Sequence, residues 1–279
     1  MTTPTPYAPV APLTWLYVPG DRPERVAGAL VSGADVVIID LEDSVAPDRK
    51  EYARAATADF LSDVPPVPVH VRLNPLASPL SHADLHALAP CPGLSGLRLP
   101  KVSDSAEVRR IANQTPQTPL YALLESALAI EHAHHIATAH PCLAGIALGE
   151  VDLQADLGVR DEAGLAWARS RVVVAARAAG LAPPAQSVHT DVTDLEGLAA
   201  SCALGRTLGF FGRTALHPRQ LPVIQRMYLP TAEEIEEAEQ ILKTAADHEG
   251  AHTLPDGRFV DAAVVAAAQR TLEVARRDF

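Results

Sequence analysis

Short apolar runs rich in β-branched residues recur along this chain at intervals of a few tens of residues, and alanine-rich stretches with helical spacing lie between most of them. That alternation restricts the chain to folds built from strand–helix units. The runs are Thr14–Val18, Val36–Leu41, Val69–Leu73, Gly96–Pro100, Leu120–Glu125, Gly145–Gly149, Ala185–His189 and Arg213–His217. Eight such units predict a closed TIM (β/α)8 barrel, with a doubly wound open sheet as the structural alternative. Helix starts are marked by Arg22-Pro23-Glu24, where proline suits a first helical turn, and by Ser103-Asp104-Ser105, which offers capping groups.

The length of 279 residues suits one barrel with an appendage. Residues 1–12, with Pro4, Pro6, Pro9 and Pro12, read as a loose tail without the features of a secretory signal. Residues 13–228 carry the barrel rhythm, and 229–279 form a C-terminal helical extension. There Thr231 to Glu249 reads as one acidic helix, Leu254-Pro255-Asp256-Gly257 as a turn, and Asp261 to Arg277 as a second helix.

Composition excludes several functions. A net charge of −11 with no polybasic run argues against a nucleic-acid surface. No apolar stretch approaches the roughly 20 residues that span a bilayer. Cys91, Cys142 and Cys202 are odd in number and widely spaced, so neither a disulfide framework nor a zinc cluster is expected, and a cytoplasmic setting fits. Glycine spacing shows no dinucleotide or P-loop fingerprint, and no Ser-His-Asp order stands out.

Active sites of such barrels form at the C-terminal ends of the strands. The polar residues there are Asp40-Leu41-Glu42-Asp43, Arg72-Leu73-Asn74, Lys101, Glu125 and Glu150-Val151-Asp152. Carboxylates converging on one rim repel each other unless a cation stands among them, and oxygen donors favour Mg²⁺ or Mn²⁺. Glu125 and Asp152 suffice for a magnesium ion that keeps several waters. Each acid alone is also compatible with a helix cap or an arginine pair, Asp43 and Glu150 above all. The fork of Arg72 suits a carboxylate or phosphate, with an ion pair to Glu42 or Asp43 as the structural alternative.

The segment Trp15-Leu16-Tyr17-Val18-Pro19-Gly20-Asp21-Arg22-Pro23-Glu24-Arg25, with Val36-Val37-Ile38-Ile39-Asp40-Leu41-Glu42-Asp43, resembles the opening of the citrate lyase β-subunit family. Val71-Arg72-Leu73-Asn74, Leu99-Pro100-Lys101, Leu123-Leu124-Glu125-Ser126, Gly149-Glu150-Val151-Asp152-Leu153 and Leu216-His217-Pro218-Arg219-Gln220 resemble its later motifs, in order. The likeness runs from Trp15 to about Asp261. It implies a TIM barrel, usually a homotrimer or homohexamer, with Mg²⁺ held by Glu125 and Asp152. It further implies that Arg72 grips a carboxylate of a keto acid, that Glu42 and Asp43 organise water on the metal, and that Lys101 lies on the substrate side. Arg22 and Arg25, at the start of the first helix, would receive the phosphates of a coenzyme A thioester, as a helix N-terminus favours anions. Gly257-Arg258-Phe259-Val260-Asp261 resembles the stretch that brings an aspartate over the active site in malyl-CoA lyase relatives, although Asp261 also suits a helix cap. Val151 and Gln186 depart from the family pattern, which often has acids there.

The expected reaction is a Mg²⁺-dependent retro-Claisen cleavage of a citryl-, malyl- or citramalyl-type 3-hydroxyacyl-CoA into an acyl-CoA and a 2-keto acid such as oxaloacetate or pyruvate. Its rivals are a pyruvate-type aldolase acting on free hydroxy-keto acids, and a β subunit of a citrate lyase complex acting on an acyl-carrier-protein thioester. The tract Glu131-His132-Ala133-His134-His135 is read as a solvated outer helix rather than a zinc site. His217, beside Pro218, is read as shaping its loop more than reaching substrate.

Overall fold

The computed structural model describes residues 12–246, 252–253 and 257–276. Residues 1–11 of the tail expected at 1–12, residues 254–256 of the expected turn and the outer ends of the last two helices, at 247–249 and 277, lie outside those residues. The chain divides into two compact units, Pro12–Gln225 and the described residues from Arg226 onward.

In the first unit, β1 (Thr14–Pro19), α1 (Pro23–Leu30), β2 (Val36–Asp40), α2 (Lys50–Phe60), β3 (Val69–Arg72), α3 (Pro79–Leu88), β4 (Leu94–Leu99) and α4 (Ser105–Gln114) alternate as the sequence rhythm predicts. They are followed by β5 (Leu120–Leu124), α5 (Ala127–Glu131), α6 (Ala133–Ala137), β6 (Leu143–Leu148), α7 (Glu150–Leu157), α8 (Ala166–Ala178), α9 (Leu195–Thr207), β7 (Arg213–Ala215) and α10 (Leu221–Tyr228). All strand pairs are parallel, in the order β6-β5-β4-β3-β2-β1-β7. Such pairing requires a crossover between successive strands, which the helices supply.

The expected closed eight-stranded barrel is corrected to an open, curled sheet of seven strands. The predicted seventh run, Ala185–His189, contributes only a single parallel bridge, Gln186 to Arg213. Gln186 donates its N–H to the Gly212 carbonyl and accepts from Thr214, so its backbone is tied to β7. Pro183 and Pro184 just before it carry no backbone donors, which shortens any ladder. Toward β6 the contact is a side-chain one, from the Glu150 N–H to Ser187 Oγ at 3.3 Å.

The strands are apolar because both faces are covered. Val37, Ile39, Val69, Val71, Leu97, Leu99, Ala122 and Leu124 are completely buried. The alternate positions Trp15, Tyr17, Ile38, His70, Arg98 and Tyr121 fall on the opposite, concave face. Gly96 and Gly145 make room there, since a Cβ on Gly96 would come within about 3.0 Å of the stacked His70 and Tyr121 rings, and one on Gly145 would come as close to Tyr121. Asp104 caps α4 in a capping box with Glu107, as the sequence suggested for this start.

In the second unit, α11 (Ala232–Ala246) and α12 (Ala262–Ala275) pack through Ala238, Ile241 and Ala268, joined by Val260. A short antiparallel pair links β8 (His252–Thr253) to β9 (Phe259–Val260). Thr231 and Glu234 form a capping box for α11.

Candidate active site

Burial of β2 and β3 places Asp40 and Arg72 side by side at their C-terminal ends, in register. Arg72 Nε and Nη2 each donate to one Asp40 oxygen at 2.7 Å, a bidentate pair. The third nitrogen, Nη1, stands 2.9 Å from Glu42 and 3.5 Å from Asp43. Burial by itself would raise the Asp40 pKa, but the Arg72 fork and the N–H groups of Glu42 and Ser44 outweigh it and hold the carboxyl below its usual range. Arg72 is held well above its own usual value by the same pairing, against the effect of burial. The sequence named Arg72, Glu42 and Asp43, but it missed that Asp40 anchors the fork.

Glu42 is 2% exposed, and neither of its oxygens has a well-aimed hydrogen bond, although Lys101 Nζ lies 3.0 Å away. Burial raises its pKa, partly offset by Arg72. Lys101 also faces Asp43 at 3.7 Å and Asp152 at 4.0 Å, and these acids hold its ammonium above the usual range although burial alone would lower it. Lys50 donates to the carbonyls of Leu41 and Glu42 and so ties down the loop that carries these acids.

Glu125, just past β5, is a strongly perturbed acid of the site. Its pKa is raised to about 7, first by burial and then by the Glu42 charge, with Asp152 adding to the rise. Two backbone features hold it. Lys101 sits in the left-handed region at φ 54°, which aims its N–H at Glu125 Oε2 at 2.9 Å. Gly149 leaves space that a Cβ would fill, at 2.4 Å from Glu125 Cγ and 2.5 Å from Oε1. Asp152 lies in the first turn of α7, beyond that glycine. Both carboxylates line one cavity of about 470 Å³, together with Tyr17, Arg25, Asp43, Arg72, Arg98, Gln186 and Thr214.

The oxygen donors fit a hard cation. Two carboxylates, one of them without a neutralising side-chain partner, repel each other across a shared cavity. Among the described residues no group of three or more His, Cys, Asp or Glu side chains is placed to hold a metal. A magnesium ion that keeps waters and takes substrate oxygens needs only two.

Other sequence candidates take structural places. Glu150 is bound by Arg169 of α8 at 2.9 and 2.6 Å, the arginine pair foreseen as its alternative. His217 accepts from the Arg219 N–H and closes a capping box with Gln220, in keeping with a loop-shaping role. His132 meets the Ser103 carbonyl at 2.9 Å. Arg25 lines the cavity, whereas Arg22 is exposed beside Asp21 at 3.7 Å. Asp261 belongs to the second unit, where its carboxylate caps α12 through the N–H groups of Ala263 and Val264. No helix among the described residues is long and apolar enough to cross a membrane.

A parallel α/β sheet whose strand ends gather carboxylates, a forked arginine and a lysine around one cavity has the layout of an enzyme handling small oxygen-rich substrates. The chain belongs to the HpcH/HpaI aldolase/citrate lyase family, whose model matches residues 13–218, and it is a lyase of that family. The resemblance read from the sequence motifs is thus borne out. A (3S)-malyl-CoA thioesterase of Cereibacter sphaeroides is 35% identical over 265 residues, covering 92% of each chain. The citrate lyase subunit beta of Leuconostoc mesenteroides is 32% identical, covering 94% of this chain and 92% of its own. Among solved structures, the protein CitE of Mycobacterium tuberculosis in complex with magnesium, acetoacetate and coenzyme A superposes with a TM-score of 0.83. It is 34% identical and covers 96% of this chain and 99% of its own.

Proposed function

We propose that this chain is a Mg²⁺-dependent lyase that splits a citryl-, malyl- or citramalyl-type 3-hydroxyacyl-CoA into an acyl-CoA and a 2-keto acid. The observation that carries the reading is the convergence of Glu125, Asp152, Arg72 and Arg25 on one cavity. The magnesium and coenzyme A found with the CitE relative support both ligands. Glu125 and Asp152 hold the ion, which when bound supplies Lewis acidity to the oxygen that becomes the keto carbonyl.

The side chains do the rest. Arg72, rigid on Asp40, orients the carboxylate of the keto-acid portion from the wall of the cavity that it lines. Lys101 and Asp43, with Glu42 behind them, set the charge at the rim. A base takes the hydroxyl proton, the bond between C2 and C3 breaks, and its electron pair passes to C2 as the enolate of the acyl-CoA. A proton returned to that carbon completes the products. Asp261 is our candidate for that proton transfer, carried over from the family motif. Arg25 and Arg22 receive phosphates of the coenzyme at the start of α1. The family likeness also supports a homotrimer or homohexamer and a cytoplasmic protein.

The thioesterase relative favours a second reading, in which water cleaves the thioester and leaves the carbon skeleton whole. One assay separates these. Citryl-, malyl- and citramalyl-CoA are incubated with and without Mg²⁺, and keto acid, acyl-CoA and free thiol are measured. Keto acid and acyl-CoA in equal amounts, only with the metal, is the expected result. Free thiol without keto acid establishes the thioesterase. Reaction of free hydroxy-keto acids but not thioesters establishes the aldolase.

A further inference from the structure

Arg98 has no part in the steps above, yet it lines the same cavity. It stands mid-strand in β4, in register with Arg72 on one side and Tyr121 on the other, and is 2% exposed. Its situation is the reverse of Arg72's. Among the described residues no carboxylate lies within ion-pair distance of it, and its Nε has no hydrogen-bond partner. Its neighbours are the Tyr121 ring at 5.5 Å, the Trp15 ring at 6.0 Å and the Tyr17 hydroxyl.

Ring faces recover only part of what it costs to strip water from a guanidinium. The groups around it add no negative charge. His70 is held neutral by burial and by Arg98 itself, and burial keeps the Tyr17 and Tyr121 phenols protonated. Arg72, the nearest other cation, is already matched by Asp40. Among the described residues the concave face therefore holds an unmatched buried positive charge at the wall of the cavity.

We propose that Arg98 binds a second carboxylate on the keto-acid portion of the substrate, so that this chain prefers a dicarboxylic 2-keto acid to a monocarboxylic one. The proposal rests on the lyase reading and specifies its substrate class. Arg72 and Arg98 then hold the two ends of one dianion, while Glu125 and Asp152 face the oxygens between them. A monocarboxylic keto acid leaves the Arg98 guanidinium dry and unpaired, which is how a buried polar group rejects an analogue that lacks its partner.

The test is direct binding of oxaloacetate and of pyruvate to the Mg²⁺-loaded protein, followed by calorimetry and by Trp15-region fluorescence. Wild type is expected to bind oxaloacetate at least about tenfold more tightly than pyruvate, in line with the strength of charge-assisted hydrogen bonds. Arg98→Met should lose about 10- to 100-fold in oxaloacetate affinity and stay within about twofold for pyruvate and for Mg²⁺. Equal binding of the two keto acids by wild type overturns the proposal without any variant, and so settles it even if Arg98→Met fails to fold. A folded Arg98→Met that keeps wild-type oxaloacetate affinity, or loses both keto acids alike, overturns it too. Thioester cleavage is scored separately. Cleavage without keto-acid discrimination removes this proposal alone, whereas discrimination without cleavage removes the lyase reading and leaves Arg98 as a dicarboxylate-binding residue.

Discussion

Replacing Gly149 by alanine tests whether the position of Glu125 is set by backbone rather than by chance. A methyl there would stand 2.4 Å from Glu125 Cγ, 2.5 Å from Oε1 and 2.9 Å from Cδ. Ordinary carbon–carbon contact begins at about 3.5 Å, so the carboxylate must retreat by about 1 Å. Metal sites tolerate errors of only about 0.2 Å in ligand distance, so the displacement removes a working ligand. Gly149 has φ −97° and ψ 89°, a conformation alanine can adopt, so backbone strain does not confound the result. Overpacking costs about 1–3 kcal/mol, and loss of the Lys101 N–H bond to Glu125 adds about 1 kcal/mol. Gly149→Ala should therefore fold with a modestly lower Tm but bind Mg²⁺ at least about tenfold more weakly by calorimetric titration, and turnover should fall in parallel. Unchanged Mg²⁺ affinity in the folded variant would refute the argument that this glycine holds the ligand in place.

Glu125→Gln and Asp152→Asn should each keep the fold and weaken Mg²⁺ by about 1.4 kcal/mol or more, a tenfold or larger loss by titration, because a hard cation loses an anionic ligand. Retained affinity in both variants sinks the metal assignment. Arg72→Lys replaces the fork on Asp40 by a single contact and leaves a buried carboxylate under-paired, so urea unfolding should show a loss of about 3 kcal/mol and keto-acid inhibition should weaken sharply. In the metal-free protein, the Glu125 pKa is raised from the usual 4.5 to about 7, so the native state holds a proton that the unfolded chain releases. Its contribution is full below pH 4.5 and is lost as pH rises through about 7, so stability should fall across that window by up to about 3 kcal/mol. Melting curves in EDTA at pH 5 and pH 8 that show no such fall for Glu125 relative to Glu125→Gln would contradict the burial argument. Asp261→Ser should preserve Tm, because serine also caps helices, while losing most turnover; full activity would reduce the residue to the cap that it forms on α12.

Much of the arrangement was legible because burial on both faces writes strands as continuous apolar runs, and the chemistry begins where each run stops. Arg72, Glu125 and Asp152 were found that way. The sequence already set Glu150 apart from Asp152 as the acid more open to an arginine pair, and the helix accounts for the split, since two residues along a helix turn side chains by about 200°, which sends Glu150 to Arg169 while Asp152 lines the cavity. The missing strand at Ala185–His189 was hidden because the run reads as strand-like, whereas Pro183 and Pro184 just before it offer no backbone donors to extend a ladder. Arg98 did leave a signal. A charge between Leu97 and Leu99 in a buried strand must face inward, since side chains alternate, and only the strand ends had been searched. The left-handed Lys101 left none, because that conformation follows from closure of the loop around Glu125 and not from residue type.

The central claim is that a carbon–carbon bond of a thioester breaks here under Mg²⁺, and carbon-13 resonance measures it directly. (3S)-Citryl-CoA labelled at both C2 and C3 shows a one-bond coupling between them. With enzyme and Mg²⁺ the account predicts that this coupling disappears as labelled acetyl-CoA and oxaloacetate form together, that EDTA stops the reaction, and that Glu125→Gln fails to start it. A coupling that persists in free citrate, with thiol released at the same rate, would contradict the account.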